Sequence, residues 1–107
     1  MTEISILIPA FNAAKYIDQT IESVLNQTYK NWQLVIVDDA SNDETFAICC
    51  RFAERDQRIT VHKNERNLGM VGNWNKGISL CKSEFFVKLD ADDIWRNDML
   101  QKALDSA

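Results

Sequence analysis

The stretch ISILIPAFNAAKYIDQTIESVLNQTYKNWQLVIVD, residues 4–38, contains two short apolar runs on either side of a segment with helical periodicity. The runs at 4–9 and 32–38 are rich in β-branched residues, which is typical of strands buried on both faces. Between them, the apolar residues that share one helical face are Ile17, Ile21, Val24 and Leu25. This pattern predicts a helix over 13–27, with Asn12 as its N-cap. A strand, a helix and a second strand in this order predict a parallel βαβ unit.

The same alternation continues through the rest of the chain. Further strands are predicted at 58–64 and 84–90, and further helices at 41–56, 70–81 and 96–107. Strands that alternate with helices in this way predict an α/β fold. We expect a Rossmann-like three-layer sandwich, in which helices cover a mainly parallel sheet.

Two of these helices carry further local signals. Ser41 and Glu44 match the spacing of a capping box at the start of the second helix. In the third helix, the large side chains that align along the helix are Met70, Trp74, Ile78 and Cys81.

Composition and charge restrict the class of protein. The chain has 107 residues, enough for one domain, and 46 % of them are hydrophobic, which is ordinary for a globular protein. The net charge of -4 gives little support to nucleic-acid binding, because that function requires cations for the phosphates. The cysteines fit no zinc spacing, and we interpret them as reduced core residues of a cytoplasmic protein. The first residues, MTEIS, do not have the pattern of a signal peptide.

Ligands of parallel α/β sheets bind beyond the carboxyl ends of the strands. In this chain the corresponding positions are 9–12, 38–39, 64–69 and 90–93, and most of them are polar or acidic. The sequence contains neither a P-loop nor a dinucleotide fingerprint after the first strand. A nucleotide bound at these positions would need another means of neutralising its phosphates, and a divalent metal on carboxylates is the obvious one.

The segment FFVKLDADDIW, residues 85–95, places three carboxylates directly after an apolar run, at Asp90, Asp92 and Asp93. Like charges this close repel each other, and their desolvation is costly. We infer that these carboxylates are either solvated at a strand end or hold a cation.

Three motifs, in their order and spacing, carry a resemblance to a known family: ILIPAFNAAKYIDQTIESVLNQTY, VIVDDASNDET and LDADD. Together they resemble the N-terminal half of family 2 glycosyltransferases, which have the GT-A fold and use nucleotide-activated sugars. The resemblance implies a metal-dependent transfer, with inversion, from a nucleoside diphosphate sugar to a sugar, lipid-linked or polysaccharide acceptor. It implies a UDP-sugar as donor and Mn²⁺ or Mg²⁺ as cofactor. It also implies a role in cell-envelope polysaccharide biosynthesis, for a cytoplasmic enzyme that is membrane-peripheral at full length.

The resemblance assigns roles to the residues of the nucleotide pocket. The residues that match the loop lining this pocket are Pro9, Ala10, Phe11 and Asn12. Phe11 takes the place of an aromatic ring that packs near the uracil. Asp39 matches the carboxylate that accepts a hydrogen bond from the base, whereas Asp38 orders the turn. An ionised carboxylate suits this role because the N3–H group of uridine is a donor.

The remaining roles fall on the second half of the chain. Asn67 and Gly69 match an Asn-x-Gly stretch that precedes a helix facing the nucleotide. Asp90 and Asp92 match the DxD motif, in which Asp90 is directed toward the ribose and Asp92 binds the metal. Asp90 and Asp93 are further candidates for metal ligands. Mg²⁺ and Mn²⁺ suit such a site because they bind to one or two carboxylates together with substrate phosphates.

The resemblance also places the catalytic base and the acceptor platform beyond the fourth strand, in the second half of such enzymes. We therefore expect residues 1–107 to be the donor-binding part of a glycosyltransferase domain, truncated before the acceptor part. Such a fragment is expected to bind the donor without transferring its sugar. An incompletely covered flank of the sheet also predicts self-association.

Two alternatives come from other classes of protein. The first is a nucleotide-sugar-binding module without turnover, which would bind uridine diphosphate as the enzyme does. The second is a receiver-type signalling domain, which also combines an acidic pair, a parallel sheet and magnesium. In receiver domains the acidic pair follows the first strand, whereas here Asp38 and Asp39 follow the second.

Overall fold

The computed structural model describes residues 2–106, and a single sheet of parallel strands lies at its centre. The strands are β1 (Ile4–Ala10), β2 (Trp32–Asp38), β3 (Ile59–Lys63) and β4 (Phe85–Lys88). Their order across the sheet is β3-β2-β1-β4, and each neighbouring pair is parallel. The predicted parallel sheet is confirmed, although β3 and β4 are shorter than the apolar runs indicated.

The helices alternate with these strands and are α1 (Ile17–Leu25), α2 (Thr45–Arg55), α3 (Gly69–Leu80) and α4 (Met99–Asp105). Side chains of α1, α2 and α4 pack on one face of the sheet, and those of α3 pack on the other. This arrangement confirms the predicted three-layer α/β sandwich. Within residues 2–106, the helices are all too short or too polar to cross a membrane.

The central strand β1 needs apolar residues on both of its faces because helices cover both sides of the sheet. Ile6 and Ile8 enter the larger core, beneath α1, α2 and α4. Leu7 belongs to the smaller core on the opposite face, where Trp74 and Leu80 of α3 pack against it. Alternation along one extended strand therefore supplies both cores.

The alignment predicted from Met70 to Cys81 marks the buried face of α3 only in part, because Trp74 and Cys81 pack against the smaller core but Met70 does not. Met70 is 85 % exposed, whereas Asn73 and Gly77 are buried against the sheet. The reason is close packing, because a Cβ atom at Gly77 would lie only 2.4 Å from Leu7 Cδ1. A helix that approaches a sheet this closely needs a residue without a side chain at the contact.

The predicted start of α1 is wrong. This helix begins at Ile17, after a turn, and Tyr16 rather than Asn12 is its N-cap residue. Asn12 has a left-handed backbone conformation (φ 49°), and its Oδ1 accepts a hydrogen bond from the backbone N–H of Asn42 (2.9 Å). Its side chain is therefore committed to a neighbouring loop and is not available to cap α1.

The predicted capping box of α2 is also wrong. The helix begins at Thr45, and the N-cap residue Glu44 makes no capping hydrogen bond with its side chain. The Ser41 hydroxyl donates instead to Asp38 Oδ1 (2.6 Å). The final helix likewise begins later than predicted, at Met99.

The cysteines are free, as expected, but they are not all core residues: Cys49 is fully buried in the larger core, whereas Cys50 and Cys81 are only partly buried. Burial, with the nearby Asp38 carboxylate as the second cause, raises the pKa of the Cys49 thiol to about 12. This thiol is therefore an uncharged packing residue at neutral pH.

The order of the strands also locates a crevice. The chain adds β2 and β3 on one side of β1 and then places β4 on the other side. In open α/β sheets, ligands bind at the carboxyl ends of the strands where the order reverses in this way. The carboxyl ends of β1 and β4 are therefore where a site is expected.

Candidate functional site

A cleft of about 410 Å³ opens at this edge of the sheet, between the ends of β1 and β4 and the first turns of α3. The residues that line it are Pro9, Ala10, Phe11, Asp39, Asn67, Gly69, Met70, Asn73, Lys88 and Asp90. The fold therefore brings together most of the residues predicted from the sequence. Asn12, Asp92 and Asp93 do not line the cleft, and the sequence-based prediction missed Met70, Asn73 and Lys88.

Asp39 is the most firmly held of these residues, and its side chain is buried. Its Oδ1 atom accepts hydrogen bonds from the backbone N–H of Leu68 (2.7 Å) and from Asn64 Nδ2 (2.9 Å). Its Oδ2 atom accepts one from the backbone N–H of Gly69 (3.0 Å). A carboxylate offers about four acceptor positions, so one position on Oδ2 is left for a donor from outside the loop.

The loop before α3 owes its shape to Gly69, which has φ 79°. This left-handed conformation directs the backbone N–H of Gly69 toward both Asp39 Oδ2 and Asn67 Oδ1 (2.9 Å). A side chain at this position would be strained. The glycine and the asparagine predicted here therefore act on Asp39, and both also line the cleft.

A buried amide network holds Asp39 from the other side. Asn64 Nδ2 donates to Asp39 Oδ1 and also to Asn73 Oδ1 (2.8 Å). Asn73 Nδ2 in turn donates to the carbonyl oxygen of Val37 in β2 (3.1 Å). Buried polar groups satisfied in this way lose rotational freedom, so the network fixes the carboxylate with respect to the sheet.

The loop that carries Phe11 is fastened to the loop after β2. The backbone N–H of Asn12 donates to Ser41 Oγ (2.8 Å), whose hydroxyl donates to Asp38. The backbone N–H of Asp39 donates to the carbonyl oxygen of Ala10 (2.8 Å). Asp38 therefore orders the turn, as predicted, while Asn12 supports the wall of the cleft from outside.

Phe11 is 49 % exposed and forms part of the cleft wall, so it is not a core residue. An aromatic ring held at the surface beside a fixed carboxylate offers a flat apolar face next to a hydrogen-bond acceptor. This combination suits a planar heterocycle that carries an N–H donor.

The acidic segment after β4 forms a turn, in which the backbone N–H of Asp93 donates to the carbonyl oxygen of Asp90 (3.0 Å). Asp90 lines the cleft, and its Oδ1 lies 3.1 Å from Lys88 Nζ. The turn is anchored to α1, because the Thr20 hydroxyl donates to the carbonyl oxygen of Ala91 (2.8 Å). The carboxylates of this turn are exposed to solvent, so the chain does not have to desolvate them.

These carboxylates fit a divalent cation of the Mg²⁺ or Mn²⁺ kind only if the ligand shares it. Within residues 2–106, no three acidic, histidine or cysteine side chains converge on a point that could hold a metal ion. Such cations commonly use one or two protein carboxylates, and water and substrate phosphates complete their coordination. Asp90, which lines the cleft, and Asp92, which is exposed in the turn that follows, supply oxygen ligands of the required type.

Lys88 is the main functional candidate that the sequence analysis missed. Side chains alternate along a strand, so Lys88 shares a face with Phe86, which contacts Trp74 of α3. The signal was present in the sequence, because a charged residue stands inside the apolar run FFVKL, two positions before Asp90.

The fold and the position of this cleft define an α/β domain with the GT-A fold of glycosyltransferases. The chain belongs to glycosyl transferase family 2, because the model of that family matches residues 5–107. The receiver-type alternative is therefore wrong.

Individual proteins show the same relationship. The chain is 39 % identical over 98 residues to WfgD of Escherichia coli, a UDP-Glc:alpha-D-GlcNAc-diphosphoundecaprenol beta-1,3-glucosyltransferase. This match covers 92 % of this chain and 38 % of that protein. It superposes with a TM-score of 0.88 and 27 % identity on S. aureus TarS 1-349 in complex with UDP-GlcNAc, over 98 % of this chain and 30 % of that one. The mannosyltransferase PcManGT from Pyrobaculum calidifontis, in complex with GDP-Man and Mn²⁺, gives a TM-score of 0.88 at 26 % identity, over 94 % of this chain and 31 % of that one.

The chain spans about a third of the length of the curated relatives that it matches. The matched region is the part of the fold that contains the cleft described above.

Proposed function

We propose that residues 1–107 form the donor-binding part of a metal-dependent glycosyltransferase. Its donor is a nucleoside diphosphate sugar, a UDP-sugar in the first instance, and the sugar is transferred with inversion. Membership of glycosyl transferase family 2 supports the reaction class. The complexes of TarS with UDP-GlcNAc and of PcManGT with GDP-Man support this class of donor.

The observation that carries the proposal is the fixed Asp39 carboxylate beside Phe11. Two backbone N–H groups and one amide hold this carboxylate, and one acceptor position on Oδ2 is left for the ligand. The N3–H group of uracil is a donor, and a hydrogen bond to an ionised acceptor is stronger than a neutral one. Phe11 packs on the base, and Pro9 and Ala10 form the adjoining wall.

The other end of the donor lies toward β4. We propose that Asp90 accepts a hydrogen bond from the ribose, and that Asp92 would be an oxygen ligand of a divalent cation that the diphosphate helps to hold. Bound Mn²⁺ or Mg²⁺ would supply positive charge that stabilises the departing diphosphate. Asp93 holds the turn through its backbone N–H and is a further oxygen ligand within the same segment.

We propose a sugar linked to a lipid diphosphate as the acceptor, because the relative WfgD is named for such an acceptor. The full-length enzyme would then act in cell-envelope polysaccharide biosynthesis, from the cytoplasm, at the membrane surface. The alternative is a nucleotide-sugar-binding module without turnover, which the ligand-binding groups alone support equally well.

Within residues 94–106, the carboxylates that could serve as a catalytic base are Asp98 and Asp105, and both already have partners. Asp98 is held between Lys102 Nζ (3.4 Å) and Arg96 Nε (3.8 Å), and Asp105 accepts a hydrogen bond from Gln101. A general base must be within hydrogen-bond reach of the acceptor hydroxyl. We therefore propose that the 107-residue chain binds the donor and does not transfer its sugar.

The test is isothermal titration of the chain with UDP, GDP and inorganic diphosphate, in Mn²⁺ and in chelator. We expect UDP to bind more tightly in Mn²⁺, and Asp92→Ala to remove that gain while leaving the fold intact. Binding that is unaffected by Mn²⁺ and by Asp92→Ala would refute the metal role. No binding of either nucleotide would refute the donor site.

An assay of sugar transfer with the same preparation distinguishes donor binding from catalysis. UDP binding without transfer is the expected result. Robust transfer by the 107-residue chain would show that the base lies within it.

A further inference from the structure

The proposed function assigns no role to Lys88, although this residue lies in the cleft. It is the last residue of β4, lies opposite Leu7 of β1, and lines the cleft between β1 and α3. Its Nζ atom is 3.1 Å from Asp90 Oδ1 and 5.2 Å from the centre of the Trp74 ring. The ammonium group is therefore held at the cleft wall by one carboxylate and one aromatic face.

Lys88 offsets the negative charge of the residues that line the cleft. Among the residues of 2–106 that line the cleft, Lys88 is the only cation, and Asp39 and Asp90 are the anions. The three internal donors of Asp39 are neutral N–H groups, so its negative charge is not paired with a cation. Without Lys88, the lining would carry only negative charge, which would repel an anionic ligand.

The present partners of Lys88 leave it free to bind a ligand. An ammonium group has three N–H donors, and an ion pair with the single oxygen Asp90 Oδ1 occupies at most one of them. The side chains of Lys88 and Asp90 are 41 % and 55 % exposed, and ion pairs exposed to this degree contribute little to stability. The Trp74 ring attracts the ammonium without consuming a donor, and the aliphatic stem can extend along the cleft wall.

We propose that Lys88 binds a diphosphate oxygen of the donor directly. The Lys88–Asp90 ion pair opens when the ligand arrives, which frees Asp90 for the ribose or for the shared cation. Lys88 thereby supplies positive charge from the protein itself, in addition to the charge of the metal. This inference rests on the proposed donor site and identifies the group that recognises the diphosphate within it.

The experiment compares UDP with uridine, because the two ligands differ only in the diphosphate. The variants are Lys88→Met, which keeps an apolar side chain of similar length, and Lys88→Arg, which keeps the charge. Lys82→Met is the matched control, because Lys82 is an exposed lysine just before the opposite end of β4. Affinities are measured by isothermal titration in chelator and in Mn²⁺, and thermal unfolding confirms that each variant is folded.

We expect Lys88→Met to weaken UDP binding on the order of tenfold, the effect of losing one charge-assisted hydrogen bond, in both buffers. Uridine affinity should change less than about twofold, since uridine has no phosphate for Lys88 to bind. Lys88→Arg and Lys82→Met should stay close to the unsubstituted chain.

Two outcomes would overturn the inference. Equal effects of Lys88→Met on UDP and uridine would show that Lys88 only shapes the cleft, and unchanged UDP affinity would show that it only pairs with Asp90. In either case the unsubstituted chain still binds UDP, so the proposed donor site stands. If the unsubstituted chain bound neither UDP nor uridine, the proposed function would fail and the role of Lys88 with it.

Discussion

Asp39→Asn is the substitution that tests the centre of the site, because it replaces one oxygen of a buried carboxylate with an NH₂ group. In the native loop, Oδ1 accepts from Leu68 and Asn64, and Oδ2 accepts from the backbone N–H of Gly69 at 3.0 Å. An asparagine oriented to keep the two Oδ1 bonds places an NH₂ group against the Gly69 N–H. Two donors then face each other, and the acceptor position proposed for the base is also lost.

The expected cost follows from this geometry. Loss of a hydrogen bond to a charged group costs about 1.5–3 kcal/mol, so Asp39→Asn should lower the melting temperature on the order of 10 °C. Loss of the acceptor for uracil should weaken UDP by a further factor on the order of ten to one hundred. The affinity for inorganic diphosphate should not fall, because its proposed contacts lie at β4 and Asp39→Asn removes no group that binds it.

A control must separate a loosened loop from a lost acceptor. Gly69→Ala strains the same loop, since its φ of 79° is unfavourable for alanine by about 1–2 kcal/mol, but it keeps the Asp39 carboxylate. We expect Gly69→Ala to lower the melting temperature while UDP remains preferred over diphosphate.

Thermal unfolding and isothermal titration on both variants give the answer. An unchanged melting temperature in Asp39→Asn would contradict the hydrogen-bond account of the loop. Equal weakening of UDP and diphosphate would refute base recognition by Asp39.

Three further results are expected. Thr20→Val removes the hydroxyl that donates to Ala91, so stability should fall by about 1 kcal/mol in urea unfolding and the gain in UDP affinity from Mn²⁺ should shrink; Thr20→Ser should restore both. The hydrogen bond from the Arg58 side chain lowers the pKa of Asp56, so this pair stabilises the fold above about pH 4 and ceases to do so as the pH falls through the lowered pKa. The urea midpoint of Asp56→Asn should therefore fall less between pH 6 and pH 2.5 than that of the unsubstituted chain. Sedimentation velocity should show self-association that rises with concentration and decreases in Phe86→Lys, because Phe86 is 42 % exposed on the edge strand β4; a monomer at every concentration would contradict this prediction.

Much of the fold could be predicted because its signals are local. Each strand is a short apolar run, and each helix has a periodic apolar face or lies between two such runs. The order of these elements leads to a three-layer α/β sandwich with few alternatives. The residues after each strand could be assigned to one edge for the same reason, and Asp39 and Asp90 do meet at one cleft.

The helix boundaries could not be predicted in the same way. A capping hydrogen bond contributes only about 1 kcal/mol, so a tertiary contact of similar strength can replace it. Asn12 accepts from the backbone N–H of Asn42 and donates its own backbone N–H to Ser41 Oγ, across two loops that are distant in sequence, while the Ser41 hydroxyl donates to Asp38 within its own loop. Those contacts delay the start of α1 and α2 and shape the wall of the cleft.

The sequence by itself therefore determined the architecture, the family and the edge of the sheet where the chemistry lies, because strand ends and periodicity are properties of neighbouring residues. Only the tertiary structure decided which face of α3 is buried, since the contact of Gly77 with Leu7 depends on how closely two distant elements approach. Only the tertiary structure showed that Asp39 has one acceptor position left and that Lys88 lies in the cleft beside Asp90. Hydrogen-bond satisfaction and charge pairing depend on distances between residues far apart in the chain, which a linear pattern does not contain.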